Sequence, residues 1–437
     1  MNEIQDRLFI KVKGRPYGQL SMAELENLVK QGSFGKDDLV WDEDSSDWVR
    51  AEETSGLREF FYSTNGRNGH HQAEVYAIAS GKGGVGKSVL TSSLGIALAA
   101  MGDEVILVDA DFGGANLHTC LGMLEPRFTL FDYYTLQKES LQDIVLATPV
   151  QNLHLISGAC GALGLANPTE TQKQLFIQDL KKLHADKILL DLGAGSSLDI
   201  IELFLLADEK ILVATPQPTS LYEAFGFLKV CLLHELNQAL KGFPPVMEFF
   251  IKEKINKPEK MPHTMADLAR KVAEIDAAAA GIFEKILHDF RPKMILNMVQ
   301  NKDDIKEGMA FQLAATELLS IDLDYLGYIS FDQIVTDAVK NTKPFLLQAP
   351  DAKASQDLSA LIRVKLLGKK GFKEIFEKRK WQKQIRNSSK EYPQLNVLKD
   401  APICSVNCFY WDNCEYQEGG LPCRVRHLEP VLSEKAS

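Results

Sequence analysis

A chain of 437 residues that is 45% apolar and 25% charged can bury a large core with smaller modules attached, which excludes wholesale disorder. The net charge of −10 argues against general nucleic-acid binding through bulk charge. No uninterrupted apolar run reaches the roughly 18 residues of a membrane span. The opening MNEIQDRLFIKVKG has no apolar stretch of signal-peptide length, so a cytoplasmic location is expected.

Residues 1–62 form a small α+β unit punctuated by Phe9, Tyr17, Trp41 and Trp48. Residues 63–73, with two Asn-Gly pairs and no apolar period, read as a linker. From Glu74, short β-branched runs alternate with helical patterns: VYAIAS, EVILVDAD, NLHLISG, KILLDLG, KILVATP, KMILNMV and DYLGYIS. Strands that are apolar on consecutive residues and separated by helices predict an α/β domain over 74–368, a mostly parallel sheet with helices on both faces. Ligands are then expected beyond the carboxyl ends of the strands. A Lys-, Glu- and Ala-rich stretch at about 236–290 reads as a helical insertion. Residues 369–398 read as a basic helix and linker, and 399–437 as a cysteine-rich tail.

The segment AIASGKGGVGKSVLTSSLG contains G-x-x-x-x-G-K-S from Gly81 to Ser88. It sits between a predicted strand and a helix whose apolar face carries Leu90, Leu94, Ala97, Leu98 and Met101. That context predicts a phosphate-binding loop, with Gly81, Lys82, Gly83, Gly84, Val85, Gly86, Lys87, Ser88 and Val89 around the nucleotide. Glycines let the backbone amides wrap phosphates at a helix N-terminus. Lys87 is expected on the β- and γ-phosphates, and the Ser88 hydroxyl on Mg²⁺. A second lysine, Lys82, occupies a free position of the motif. Projecting outward, it could reach the γ-phosphate of a second subunit as an arginine finger does in trans. Three aspartates end predicted strands: Asp109 and Asp111 in VDAD, and Asp191 in KILLDLG. One such residue is as often a helix cap, but three beside a phosphate loop favour metal and water positioning.

Together SGKGGVGKS, LVDADFGGANLHTCLG, LLDLGAGSSLDI and VATPQPTSLYEAFGFLK resemble the MinD/ParA class of deviant-Walker ATPases, most closely its FlhG-like branch, over about residues 74–350. The resemblance implies an ATP- and Mg²⁺-dependent homodimer with both nucleotides at its interface and Lys82 crossing between subunits. It also implies that Asp111 orients the attacking water, that Asp109 and Asp191 support the metal shell, and that Asn116 is the switch asparagine. Asn297 resembles the family's adenine-reading amide, with Asp332 in the adjoining SFDQ segment. That segment departs from the family's proline-containing pattern.

The N-terminal unit, from KGRPYGQLS to DWVRAEE, resembles a GYF-like domain, which implies a protein partner with a proline-rich segment. Tyr17 and Trp41 are the expected exposed aromatics; core filling is the alternative role for this set. Arg363–Arg386 holds ten Lys/Arg against two Glu. Phe372, Ile375 and Phe376 lie close together on one helical face, from which Trp381 and Ile385 fall away. Either a charged helix packed on the ATPase or a peripheral contact with anionic lipid at the inner face of the membrane follows. Cys404, Cys408, Cys414 and Cys423, in place of the scattered Cys120, Cys160 and Cys231, suit Zn²⁺ or an iron–sulfur cluster, with His427 a spare candidate. Unliganded reduced thiols are the other reading.

These observations point to a regulatory ATPase that hydrolyses ATP to ADP and phosphate and controls the position or number of a flagellar, polar or division apparatus. A metal-handling or iron–sulfur carrier and a non-hydrolysing scaffold are the alternatives.

Overall fold

In the computed structural model the described residues are 73–366 apart from breaks at 112–113, 125, 159–168 and 257–263, together with segments of 7–51 and residues 382–387. The cysteines Cys404, Cys408, Cys414 and Cys423, and also Cys160, His427, Phe372, Ile375, Phe376 and Trp381, lie outside the described residues.

Near the N-terminus, β1 (Arg7–Val12), β2 (Arg15–Ser21), β3 (Leu39–Asp42) and β4 (Asp47–Arg50) make an antiparallel sheet in the order β2-β1-β3-β4. Its core is Ile10, Leu25, Phe34, Val40 and Ala51. Alternation along β1 turns Ile10 inward and leaves Phe9 48% exposed, while Tyr17 is 56% exposed. Trp41 is half-buried and meets Trp48 edge-on at 5.5 Å, and Lys11 lies over the Trp48 ring. The exposed pair is therefore Phe9 and Tyr17, and aliphatic residues with Phe34 fill the centre.

The larger domain is an eight-stranded sheet in the order β12-β11-β10-β5-β9-β6-β8-β7. Its strands are β5 (Glu74–Ser80), β6 (Val105–Ala110), β7 (Leu146–Ala147), β8 (Leu153–Ile156), β9 (Lys187–Ala194), β10 (Glu209–Ala214), β11 (Lys293–Val299) and β12 (Asp324–Ser330). All seven expected strands are present and parallel; only the two-residue edge strand β7 runs antiparallel and had no signal in the sequence. Consecutive residues of β6 and β9 are buried, as a sheet covered on both faces requires.

Helix α1 (Lys87–Ala99) follows the glycine loop. Leu90, Leu94, Ala97 and Leu98 are buried as the spacing predicts, whereas Met101 lies beyond the helix end. Thr91, Ser92 and Ser93 are buried as well, which a one-faced reading missed. Their hydroxyls reach the Lys87 and Val89 carbonyls of the same helix, so they enter the interior with their hydrogen bonds made.

The next elements are α2 (Leu117–Cys120), α3 (Leu130–Tyr134), α4 (Glu170–Leu180) and α5 (Leu198–Leu206). Helix α6 (Pro218–Ala239) starts with proline in its first turn. The insertion folds as α7 (Pro244–Asn256), α8 (Met265–Ile275) and α9 (Ala277–Asp289). Its Val246, Met265, Leu268, Val272, Phe283 and Leu287 join the core of the sheet domain, so it enlarges that core instead of forming a second one. Helices α10 (Lys302–Ala314), α11 (Gln333–Lys340), α12 (Phe345–Gln348) and α13 (Lys353–Ala360) complete the domain.

Residues 382–387 of the basic segment are helical. Ile385 is fully buried and the Arg386 Nη2 reaches both carboxylate oxygens of Asp351, at 2.8 and 2.9 Å. Of the apolar residues singled out in this segment, Ile385 is among those described, and it packs. The ion pair is solvent-exposed and worth little; the isoleucine is the anchor. Ile385→Ala is expected to weaken this docking by about 2 kcal/mol or more. Limited proteolysis should then cut within 382–387 while the sheet domain stays resistant.

Candidate functional site

The loop between β5 and α1 owes its shape to two left-handed glycines, Gly84 at φ 78° and Gly86 at φ 86°, the latter capping α1. Gly81 sits against α6. A Cβ there would lie 2.3 Å from the Glu223 carbonyl carbon and 2.6 Å from the Ala224 nitrogen. Backbone cannot yield as a side chain does, so Gly81→Ala must displace the loop. We expect nucleotide affinity to fall about tenfold or more, read by titration with a fluorescent ATP analogue. The loop is further tied by a Ser80 hydroxyl donating to the Lys82 carbonyl at 2.9 Å and by the Gly195 N–H donating to the Ser80 carbonyl at 3.1 Å.

Lys87 opens α1 and is 8% exposed; its Nζ donates to Asp191 Oδ1 at 3.2 Å. The Thr91 hydroxyl, one turn along the same helix, lies 3.0 Å from that oxygen. Asp191 Oδ2 is buried and, among the described residues, has no hydrogen-bond partner. Burial raises the Asp191 carboxyl above its ordinary range, against the pull of Lys87 and the Ser88 hydroxyl beside it.

Asp109 is directly opposite Asp191 in the β6–β9 register and wholly buried. Its oxygens accept from the Leu117 N–H at 2.8 Å and the Asp111 N–H at 3.3 Å, bracing the turn that leads into α2. Burial, and then the charge of Asp191, push its carboxyl up to about 7. Two buried carboxylates facing each other across neighbouring strands, one with an oxygen that has no hydrogen-bond partner among the described residues, suit a divalent cation shared with Ser88.

Asp111 is half-buried and accepts from the Gly114 N–H at 3.0 Å. Its carboxylate also flanks Gly193, next to the end of β9. Asn116 is exposed at the start of α2, and its side chain makes no cap hydrogen bond. Lys82 takes no part in the Lys87–Asp191 pair; its Nζ donates to Thr219 Oγ1 at the start of α6, at 2.8 Å.

Asn297, on β11, donates through Nδ2 to the Val85 carbonyl at 2.8 Å. Beside it lies a cavity of ≈ 340 Å³ walled by Gly86, Val89, Met298, Ile329, Phe331 and Val335, within the size range of small-molecule sites. Asp332 also lines it. Its carboxylate accepts from the Ile334 N–H at 3.1 Å and the Ala354 N–H at 3.4 Å, capping α11 and joining it to α13. A helix cap is thus the observed role of Asp332.

Sequence reasoning missed three groups here: Thr91, Thr219 and the Val85 carbonyl. Thr91 had a signal, being four residues from Lys87 and so on the same helical face. Thr219 and Val85 act on residues more than a hundred positions away and had none. Among the described residues no three His, Cys, Asp or Glu side chains gather as a metal centre, and no helix is long and apolar enough to cross a membrane.

A glycine loop leading from a parallel strand into a helix, with a buried lysine and carboxylates on the neighbouring strand ends, defines a P-loop nucleotide-binding domain. Residues 76–345 match the CobQ/CobB/MinD/ParA nucleotide binding domain family, and the chain belongs to it. Residues 9–57 match GYF domain 2.

The chain is 33% identical over 162 residues to the antiactivator FleN of Pseudomonas aeruginosa, a match covering 37% of this chain and 57% of FleN. It is 32% identical over 190 residues to the septum site-determining protein MinD of Thermotoga maritima, covering 40% and 65%. The matches thus span less than two thirds of either relative. Among solved structures, MinD complexed with Mg-ADP from Pyrococcus horikoshii is 24% identical, with a TM-score of 0.45, over 68% of this chain and 98% of that one.

Proposed function

We propose that this chain is a Mg²⁺-dependent ATPase that pairs with a second copy around bound ATP, hydrolyses it to ADP and phosphate, and uses the cycle to set the position or number of a flagellar, polar or division apparatus. The observation that carries this reading is the division of labour between two lysines of one loop. Lys87 is buried against Asp191, while Lys82 stands apart from that pair, held by one hydroxyl of α6.

In this reading the backbone of Gly81–Ser88 holds the phosphates, Lys87 leaves Asp191 for the β- and γ-phosphates, and Ser88, Asp109 and Asp191 hold the cation. Bound Mg²⁺ supplies charge neutralisation for the phosphate oxygens. Asp111 orients the attacking water, and Asn116 extends toward the same region. Lys82 enters the partner's pocket, where positive charge on the transferring group speeds reaction. Turnover is slow alone and stimulated by a partner or surface. The septum-determining and antiactivator roles carried in the relatives' names support the cellular part of the proposal.

The GYF-like domain would recruit a protein partner through a proline-rich segment. The basic segment would meet anionic lipid at the inner face of the membrane, and Cys404, Cys408, Cys414 and Cys423 would bind Zn²⁺ or an iron–sulfur cluster. Light scattering tests the central claim. With Mg²⁺ and a nonhydrolysable ATP analogue the 48.7 kDa chain should double in molar mass, and an unchanged mass at saturation refutes pairing. Metal analysis of the same anaerobically purified sample tests the cysteines.

A further inference from the structure

We infer that Asn297 is a positioning residue for the phosphate loop, so that the grip on the triphosphate itself depends on a side chain from β11. The inference rests on the nucleotide-site reading above and goes beyond base recognition. A loop that wraps phosphates must turn backbone N–H groups inward, and a planar trans peptide then turns its carbonyl outward. The Val85–Gly86 peptide does this: its carbonyl accepts from Asn297 Nδ2 at 2.8 Å, so the Gly86 N–H points away from Asn297.

The fit is tight. A Cβ on Gly86 would stand 2.5 Å from Asn297 Nδ2, and the Val85 side chain is 3% exposed. Gly86 has φ 86°, ψ 21°, and glycine alone does little to stop a neighbouring peptide from rotating. The asparagine holds that peptide from outside the loop. The end of β11 is shaped to bring it there. Its register with β12 shifts between Leu296 and Val299, and Met298 takes φ 61°, a left-handed conformation that side-chain residues rarely adopt. Such irregularities re-aim a side chain at a strand end.

Inorganic tripolyphosphate has the phosphates of ATP and no base, so it separates the two roles. The full chain would be titrated calorimetrically with Mg-tripolyphosphate and with a nonhydrolysable Mg-ATP analogue, as wild type, Asn297→Ala and Asn297→Leu. Leucine keeps the volume, alanine adds no bulk, and neither donates. Removing the donor strands the Val85 carbonyl, and tripolyphosphate affinity is expected to fall about tenfold or more. Asp276→Ala, which removes the N-cap of α9 in the helical insertion, should lower the unfolding temperature yet keep tripolyphosphate affinity. That control separates loop positioning from general loss of stability.

Tripolyphosphate affinity within about twofold of wild type in both Asn297 variants, with ATP affinity lost, overturns the inference and leaves Asn297 a reader of the base alone. A wild type that binds neither ligand refutes the nucleotide-site reading instead, and the inference falls with it.

Discussion

Lys87→Met is expected to abolish nucleotide hydrolysis and, in the same molecule, to unsettle the fold. A single lost charge-stabilising donor costs about 10²–10³ in rate, and on the proposed reading this one also holds the ground-state phosphates, so the fall in kcat/KM should exceed that range. The structural effect has a separate origin. Lys87 is the cation beside Asp191, whose carboxylate is 1% exposed. Breaking a buried pair by removing one partner costs about 3–5 kcal/mol.

The pH dependence follows from sign. Burial already raises the Asp191 carboxyl above its unfolded value, with Lys87 opposing the rise; without the lysine it rises further. A group with a raised folded pKa contributes stability that is present below the unfolded pKa and lost as pH rises through the folded one. The gap in urea stability between wild type and Lys87→Met should therefore widen as pH rises from about 4, the ordinary carboxylate value, toward neutrality. Lys87→Met/Asp191→Asn should recover much of the stability and none of the hydrolysis. Equal penalties at both ends of that pH range would show that the lysine acts through packing alone.

Lys82→Ala is expected to give the opposite profile. Lys82 donates to one exposed hydroxyl, Thr219 Oγ1, and has no ion pair among those described, so unfolding free energy should change by no more than about 0.5 kcal/mol. Monomer affinity for ATP should persist, because Lys87 and the loop backbone are intact. What should vanish is pairing, together with stimulated turnover, a loss of about 10³–10⁵ if the lysine acts as a trans-acting cation does elsewhere. Light scattering with a nonhydrolysable analogue and phosphate release with and without stimulator read the two effects separately. Full stimulated turnover in Lys82→Ala would defeat the trans-lysine proposal. Thr219→Ala, which frees the lysine and removes nothing else from it, should leave pairing intact.

The strands and the loop were legible because each is a local pattern. Apolar runs such as VILVD and ILLDL announce strands buried on both faces, and G-K-S ahead of an apolar helix announces a phosphate loop. What could not be read was the partner of each polar group. Asp109 and Asp191 were visible as strand-end carboxylates, but their register across β6 and β9 exists only in the sheet. Asn297 and Val85 are joined across 212 positions, and no pattern within β11 signals that bond. Asp332 looked like part of the base pocket because it follows β12. In the structure it lines the cavity beside Asn297 and caps α11 as well, a competition between local capping and site chemistry that residue type leaves open. At the N-terminus the aromatic residues drew attention to themselves, yet aliphatic side chains and Phe34 form that core.

The strand order carries a consequence for how the protein is made. β9, which bears Asp191, lies between β5 and β6, though both precede it in the chain. A growing polypeptide that has exposed the whole glycine loop and Asp109 still lacks the middle plank of the sheet, and β5 has no β6 beside it to bind. Nascent or truncated chains ending before residue 187 should therefore have no nucleotide pocket at all, since long-range parallel pairing must come first. Capture of the ligand then reports that the sheet is complete, and ATP stabilises only the finished domain.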